Sequence, residues 1–76
     1  MKEMVISIKG FNDVYSFLKQ ARTVKGDVIV KRGVYCADAK SILGILSIDM
    51  SQGVTIMYPE SAIKFEYFIK QFKVDR

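Results

Sequence analysis

The spacing of apolar residues alternates along this chain between a period of two and a period near 3.6, and this change restricts the fold more than any other feature. Residues 4 to 9 alternate, with Met4, Ile6 and Ile8 on one side, which predicts a strand with one buried face. A stripe at i, i+3, i+4 and i+7 follows and predicts a helix; its members are Val14, Phe17, Leu18 and Ala21.

Residue types at the ends of this first helix suggest its limits. Gly10 ends the strand, and Asn12 is predicted to be the N-cap, because its side chain can accept a bond from a free helical amide. Asp13 suits the positive end of the helix dipole. Gly26 is predicted to close the helix near the C′ position.

The middle of the chain predicts a hairpin and a short helix. Val28–Val30 is a β-branched strand, Lys31–Gly33 is a tight turn, and Val34–Ala37 is the pairing strand. Asp38–Ser41 is a polar helix-start signal. Residues 49 to 53 are then expected to form a loop.

The last third predicts one strand and one helix. Val54, Ile56 and Tyr58 alternate with Thr55 and Met57, and Pro59 stops the strand because it lacks the amide hydrogen. A helix is expected to open at residues 59 to 61. Its apolar stripe consists of Phe65, Phe68, Ile69 and Phe72.

The predicted order is therefore β-α-β-β-α-β-α. Strands with one buried face need helices to cover that face, so we predict an α+β fold: an open-faced two-layer sandwich formed by residues 1–76 as one domain.

Composition excludes several classes of function. The 76 residues contain no histidine, which removes the commonest general base and a common metal ligand, so we expect no enzyme, no metal site and no cofactor. Cys36 is the only cysteine and is predicted to be a small buried residue. No signal peptide or apolar run long enough for a bilayer is visible, which favours a cytoplasmic protein without membrane contact.

The short middle helix carries more aliphatic side chains than one helix face can bury. Five large aliphatic residues occur between positions 42 and 48, and Gly44 weakens the helix further. If Ile45 and Ile48 point inward, then Ile42, Leu43 and Leu46 stay at least partly exposed.

The segment Lys40–Ile48, KSILGILSI, resembles the "KSIMGVMSL" signature of HPr, the phosphocarrier of the bacterial phosphoenolpyruvate-dependent sugar phosphotransferase system. The order of elements matches that family over essentially the whole chain. The resemblance implies an antiparallel sheet of order 1-4-2-3, with helices on one face.

The chain departs from HPr at the active site. The family places a phosphorylatable histidine before the first helix, in a "GIHARP" motif, with a nearby arginine. Here Lys9–Val14 retains Gly10 but neither the histidine nor the arginine, and Asp13 would repel a phosphate. Ser16 and Tyr15 are poor substitutes, since a hydroxyl does not form a labile phosphoramidate. We therefore predict no histidine phosphotransfer.

Ser41 falls on the serine that a dedicated kinase phosphorylates in HPr of many Gram-positive bacteria, where it controls carbon catabolite repression. The resemblance implies regulation by phosphorylation of Ser41, with Lys40 as a neighbouring positive charge. The alternative is that Ser41 only caps the short helix.

In HPr the positions matching Ile42, Leu43 and Leu46 form a docking patch for partner proteins, and Phe11 is placed to extend it. The resemblance thus implies protein partners, including components of the phosphotransferase system or of catabolite regulation. The alternatives are core packing for the aliphatic residues and an inward staple for Phe11.

Two other kinds of partner follow from the sequence. The net charge of +4 and the lysines expected to be exposed raise the alternative of a small basic nucleic-acid-binding domain, although Tyr35 and Tyr58 are the only aromatic residues on the predicted strands and no RNA-binding motif is present. The family's regulatory paralogue dimerises by strand exchange, so a second copy of this chain is also a candidate partner.

Overall fold

In the computed structural model, which describes residues 1–74, the segments with an apolar period of two form a sheet and those with a period near 3.6 form a helical layer. The strands are β1 (Lys2–Ile6), β2 (Ile29–Arg32), β3 (Tyr35–Asp38) and β4 (Val54–Tyr58). The helices are α1 (Phe11–Ala21), α2 (Ile42–Leu46) and α3 (Ile63–Ile69). Short 3₁₀ turns span Met50–Gln52 and Lys70–Phe72.

The sheet has the order β1-β4-β2-β3, and every pairing in it is antiparallel. Ile6 lies opposite Val54, and Val30 lies opposite Ile56. The predicted α+β class, the succession of elements and the sheet order 1-4-2-3 are therefore confirmed.

The register places the buried side chains on one face of the sheet, against the helices. The strand contribution to the core is Ile6, Val30, Val54, Ile56 and Tyr58. From the helical layer, the Phe65 ring lies 5.8 Å from the Phe17 ring and 5.8 Å from the Tyr58 ring. Burying one such large side chain contributes about 1.5–3 kcal/mol, so this one-sided core holds the two layers together.

Both predicted caps of α1 are wrong. Its N-cap is Gly10, whose carbonyl already accepts a bond from the Val14 amide at 3.2 Å, so Asn12 lies inside the first turn with its side chain exposed. At the other end the C-cap is Arg22. Gly26 lies farther along, at a φ of +103°, where a Cβ would come within 3.2 Å of Pro59. Gly26 therefore shapes the approach to β2.

Three further boundaries differ from the sequence prediction. β2 continues to Arg32, and the hairpin turn is Gly33–Val34, because pairing with β3 extends the ladder. The Pro59–Ser61 segment forms a turn closed by the Ala62 amide on the Pro59 carbonyl, so α3 starts only at Ile63. The predicted loop at residues 49–53 contains a 3₁₀ turn.

The predicted burial of Cys36 is also wrong. Cys36 is exposed, because it lies on edge strand β3 opposite Lys31, on the face of the sheet that no helix covers.

Candidate functional site

Helix α2 is short, and its attachment to the rest of the protein determines which of its side chains face solvent. Ile45 is 1 % exposed and anchors the helix in the core. Gly44 lies directly on β3: a Cβ added to it would be 3.3 Å from the Ala37 Cβ and 3.4 Å from the Asp38 carbonyl oxygen. The glycine that weakens the helix by propensity thus permits its close packing on the sheet.

The other large side chains of α2 face outward. Leu43 is 78 % exposed, Leu46 is 56 % exposed, and Ile42 is also exposed, whereas Ile45 and Ile48 are buried. The predicted division of this helix into inward and outward residues is therefore what the structure has. The role of the outward residues stays a prediction.

Phe11, the first residue of α1, is exposed and lies near α2. Its ring stacks on the Tyr15 ring with the centroids 6.4 Å apart. Phe11 and Leu46 both line a depression of about 280 Å³ whose floor includes Ile8. Phe11 thus does not pack inward as a staple. We call the surface formed by Phe11, Ile42, Leu43 and Leu46 the α2 patch.

The geometry before α1 depends on a glycine. Gly10 has φ +96° and ψ 140°, a backbone conformation that residues other than glycine rarely adopt. This backbone turns the chain sharply out of the strand segment and places Phe11 at the surface. The only feature of the family's active-site motif that survives here, the glycine, therefore orients an aromatic ring.

Ser41 is the N-cap of α2. Its Oγ accepts a hydrogen bond from the Gly44 amide at 3.2 Å, and the residue is partly exposed. The predicted capping role is therefore present. Phosphorylation of Ser41 remains a prediction.

Hydrogen bonds anchor two basic side chains around the segment that leads into Ser41. The Lys40 ammonium donates to the Val24 carbonyl at 2.7 Å, so it is engaged at the end of α1. Arg22 instead donates through its Nε to the Lys40 carbonyl at 3.0 Å, on the peptide group that joins Lys40 to Ser41. The guanidinium group of Arg22 is thus a second positive charge anchored at the Lys40–Ser41 peptide group, in addition to the predicted Lys40.

The sequence analysis missed two features at the edges of the α2 patch. Tyr15 and Lys19 continue the exposed side of α1 from Phe11, with the Lys19 ammonium 5.7 Å from the centre of the Tyr15 ring. Their i, i+4 spacing was the available signal. Asp49 lines the depression, and bonds from Ser51, above all from its hydroxyl, hold the pKa of the Asp49 carboxyl below its usual value.

The aromatic residues of the sheet do not form a surface for base stacking. Tyr58 is buried, and its hydroxyl donates to Glu66 at 2.5 Å, while Glu66 also contacts the Lys2 ammonium at 2.6 Å. Burial and the Glu66 carboxylate raise the pKa of Tyr58. The nucleic-acid hypothesis therefore loses one of the only two strand tyrosines that could have stacked on bases.

Within residues 1–74, no cluster of three or more potential metal ligands occurs. Over the same stretch, none of the helices is both long enough and apolar enough to cross a bilayer.

The fold and the site can be compared with known proteins. A crystal structure of HPr-C-His from Thermoanaerobacter tengcongensis superposes with a TM-score of 0.77, at 29 % sequence identity, over 93 % of each chain. The chain therefore has an HPr-like fold. A second crystal structure, of a phosphocarrier protein HPr from Bacillus anthracis str. Ames, superposes with a TM-score of 0.70 at 19 % identity, over 95 % of this chain and 94 % of that one.

Sequence comparison alone does not reach this result. No family model matches the HPr-like chain, and no curated protein is similar to it by sequence. Structural similarity along nearly the whole length therefore carries the assignment, and the nine-residue segment Lys40–Ile48 is consistent with it.

Proposed function

We propose that this HPr-like protein is a protein-interaction module connected with the sugar phosphotransferase system, and that it does not relay phosphate through histidine. The connection is supported by the similarity to a protein described as a phosphocarrier. The 76 residues contain no histidine, and the segment before α1 presents Phe11. We therefore expect a cytoplasmic binding protein, not an enzyme.

The observation that carries this proposal is the α2 patch. Single exposed apolar residues are ordinary on protein surfaces, but a contiguous group of large ones commonly marks a binding site. Here one five-residue helix presents three outward apolar side chains, and one of them, Leu46, lines a shallow depression together with Phe11. Because Ile45 and Gly44 fix the helix on the core and the sheet, the patch is presented in one orientation.

We further propose that phosphorylation of Ser41 regulates this surface. Ser41 immediately precedes Ile42, the first residue of the patch, and is accessible at the surface. A phosphoryl group would add about −1.5 to −2 charges at the border of an apolar contact region. A partner that packs on the patch would have to accommodate or desolvate that charge, so its affinity would change.

A titration tests the docking proposal. The ¹⁵N-labelled protein is titrated with the HPr-binding domain of enzyme I and, separately, with HPr kinase, and the amide shifts of α2 are followed. We expect at least one of these partners to shift α2, and Leu43→Asp to abolish the effect.

Ile63→Asp is the matched control, because Ile63 is 72 % exposed but lies on α3, outside the patch. This control should bind like the unmodified protein. Absence of binding to both partners, or equal losses in the two variants, would refute docking through the patch.

A separate experiment tests the switch. The protein is incubated with HPr kinase and ATP, and its intact mass is measured. We expect a gain of one phosphate that Ser41→Ala does not show. If the unmodified protein gains none, or if Ser41→Ala gains it as well, regulation at Ser41 is wrong and the docking proposal stands on its own titration.

A further inference from the structure

The four-stranded sheet has two edges, and the chain itself covers one of them. Along β1, the Ser7 amide donates to the Phe72 carbonyl at 3.0 Å, and the Val74 amide donates to the Val5 carbonyl at 3.0 Å. Along β3, the described residues supply a ladder only from β2, on the inner side. We propose that the β3 edges of two copies of this chain pair antiparallel about a two-fold axis at Cys36, so that two sheets become one.

The hairpin determines which backbone groups of β3 point to the open edge. Arg32 and Tyr35 flank the two-residue turn Gly33–Val34, and in such a hairpin the flanking residues form a hydrogen-bonded pair. Pairs alternate along an antiparallel ladder, so the next pair, Lys31 and Cys36, is not hydrogen-bonded. The amide and carbonyl of Cys36 therefore point away from β2, toward the edge.

Edge strands are usually protected by lysine, proline, a bulge or a covering segment. This edge has few of these devices. Val34 is 91 % exposed, and Tyr35 and Cys36 are also exposed, so three uncharged side chains follow one another at the rim of the sheet. Within β3 only Asp38 carries a charge. The unpaired strand thus resembles a template for another strand.

A second copy fits this edge because the edge is complementary to itself. In the register centred on Cys36, the amide and carbonyl of one Cys36 meet the same groups of the other, and Val34 lies opposite Asp38 of the second copy. Tyr35 then lies opposite Ala37 of the second copy, so a large exposed ring meets a small side chain.

The charges agree with this register. Cys36 lies opposite Lys31 on the face of the sheet that no helix covers, and Asp38, two residues from Cys36, is on that same face. The two-fold axis therefore places Lys31 of one copy and Asp38 of the other on the same face of the joined sheet, two strands apart, twice. The pairing leaves every strand in its own chain and is thus distinct from strand exchange, and it does not use the α2 patch.

The Cys36 thiol serves as a reporter of the pairing. Directly opposite residues of a hydrogen-bonded antiparallel pair have Cα atoms about 5.5 Å apart, a separation that disulfides also have, and their Cβ atoms must move about 1 Å closer for the bond to form. Diamide oxidises two thiols to a disulfide and takes up the two electrons and two protons. We expect it to convert the native protein to a covalent dimer whose yield is lost when the protein is unfolded in urea.

The matched control moves the thiol by two positions, in the double variant Cys36→Ser with Val34→Cys. Position 34 is also exposed, but in the proposed register its two copies lie about 14 Å apart. Each cross-linking rate is normalised to the reactivity of that thiol with a monofunctional reagent. We expect the native protein to cross-link at least about tenfold faster than the double variant, because pairing raises the local concentration of the Cys36 thiol. Equal rates would overturn the proposal.

A second measurement does not depend on the thiol. Sedimentation velocity is compared for Cys36→Ser, which keeps the outward amide, and Cys36→Pro, which lacks it, with circular dichroism to verify that both fold. We expect the serine variant to dimerise as concentration rises and the proline variant to remain monomeric. A serine variant that stays monomeric at the highest attainable concentration would refute the pairing, whether or not the proline variant folds.

Discussion

Replacing Ile45 with alanine should destabilise the protein by about 2–5 kcal/mol, because it removes a buried side chain and leaves a cavity between α2 and the core. Ile45 is 1 % exposed and is the buried residue of α2. A chain of this length has a total unfolding free energy of about 4–11 kcal/mol. The substitution should therefore remove a large part of the stability.

The control is the next residue. Leu46 is an isomer of isoleucine and lies on the same helix, but it is 56 % exposed. Leu46→Ala should therefore cost about 1 kcal/mol or less. Alanine improves helix propensity more when it replaces isoleucine than when it replaces leucine, so propensity opposes the expected difference and does not produce it.

Urea unfolding followed by circular dichroism measures both free energies. In a thermal scan, each 1 kcal/mol lowers the Tm of a domain of this size by about 4–8 °C, so Ile45→Ala should melt at least about 8 °C lower, while Leu46→Ala stays close to the unmodified protein. If the two variants lose equal stability, or if Leu46→Ala loses more, then α2 is not oriented as described and the α2 patch does not exist.

Three further outcomes are expected. Bonds from Lys2 and Tyr58 lower the pKa of Glu66 in the folded protein. The ionised carboxylate therefore stabilises the fold at pH values above its pKa in the unfolded chain, about 4.3, and this stabilisation is lost as the pH falls below that value. The urea midpoint of Glu66→Gln should vary less with pH over that range. Ser41→Ala should cost about 0.5–2 kcal/mol in urea unfolding, since it removes the cap of α2, whereas Ser41→Asp should retain most of that stability. Gly10→Ala should cost about 1–3 kcal/mol from backbone strain alone, because a Cβ there would meet nothing within 4 Å; a variant as stable as the original would contradict the positive φ.

Residue pattern alone was sufficient for most of the fold. The alternation in the first and last strands and the stripe of α1 correspond to side chains that the structure buries, because periodicity reports which face of an element avoids water. The sheet order came from the resemblance carried by Lys40–Ile48, since local pattern does not say which strands are neighbours. Capping was predicted poorly, because Asn12 is a suitable cap by residue type but the backbone turn at Gly10 comes two residues earlier.

The candidate site likewise combines features that the sequence determines with features that depend on the tertiary structure. That α2 has more aliphatic side chains than it can bury was determined by the sequence, because it follows from counting large residues against the faces of a short helix. Only the tertiary structure decided three other features of the site. Arg22 is anchored at the Lys40–Ser41 peptide group, Phe11 and Leu46 line one depression, and Cys36 lies exposed at a sheet edge. Each of these depends on segments far apart in the chain, and their proximity is set by how helices pack on the sheet, which no local pattern encodes.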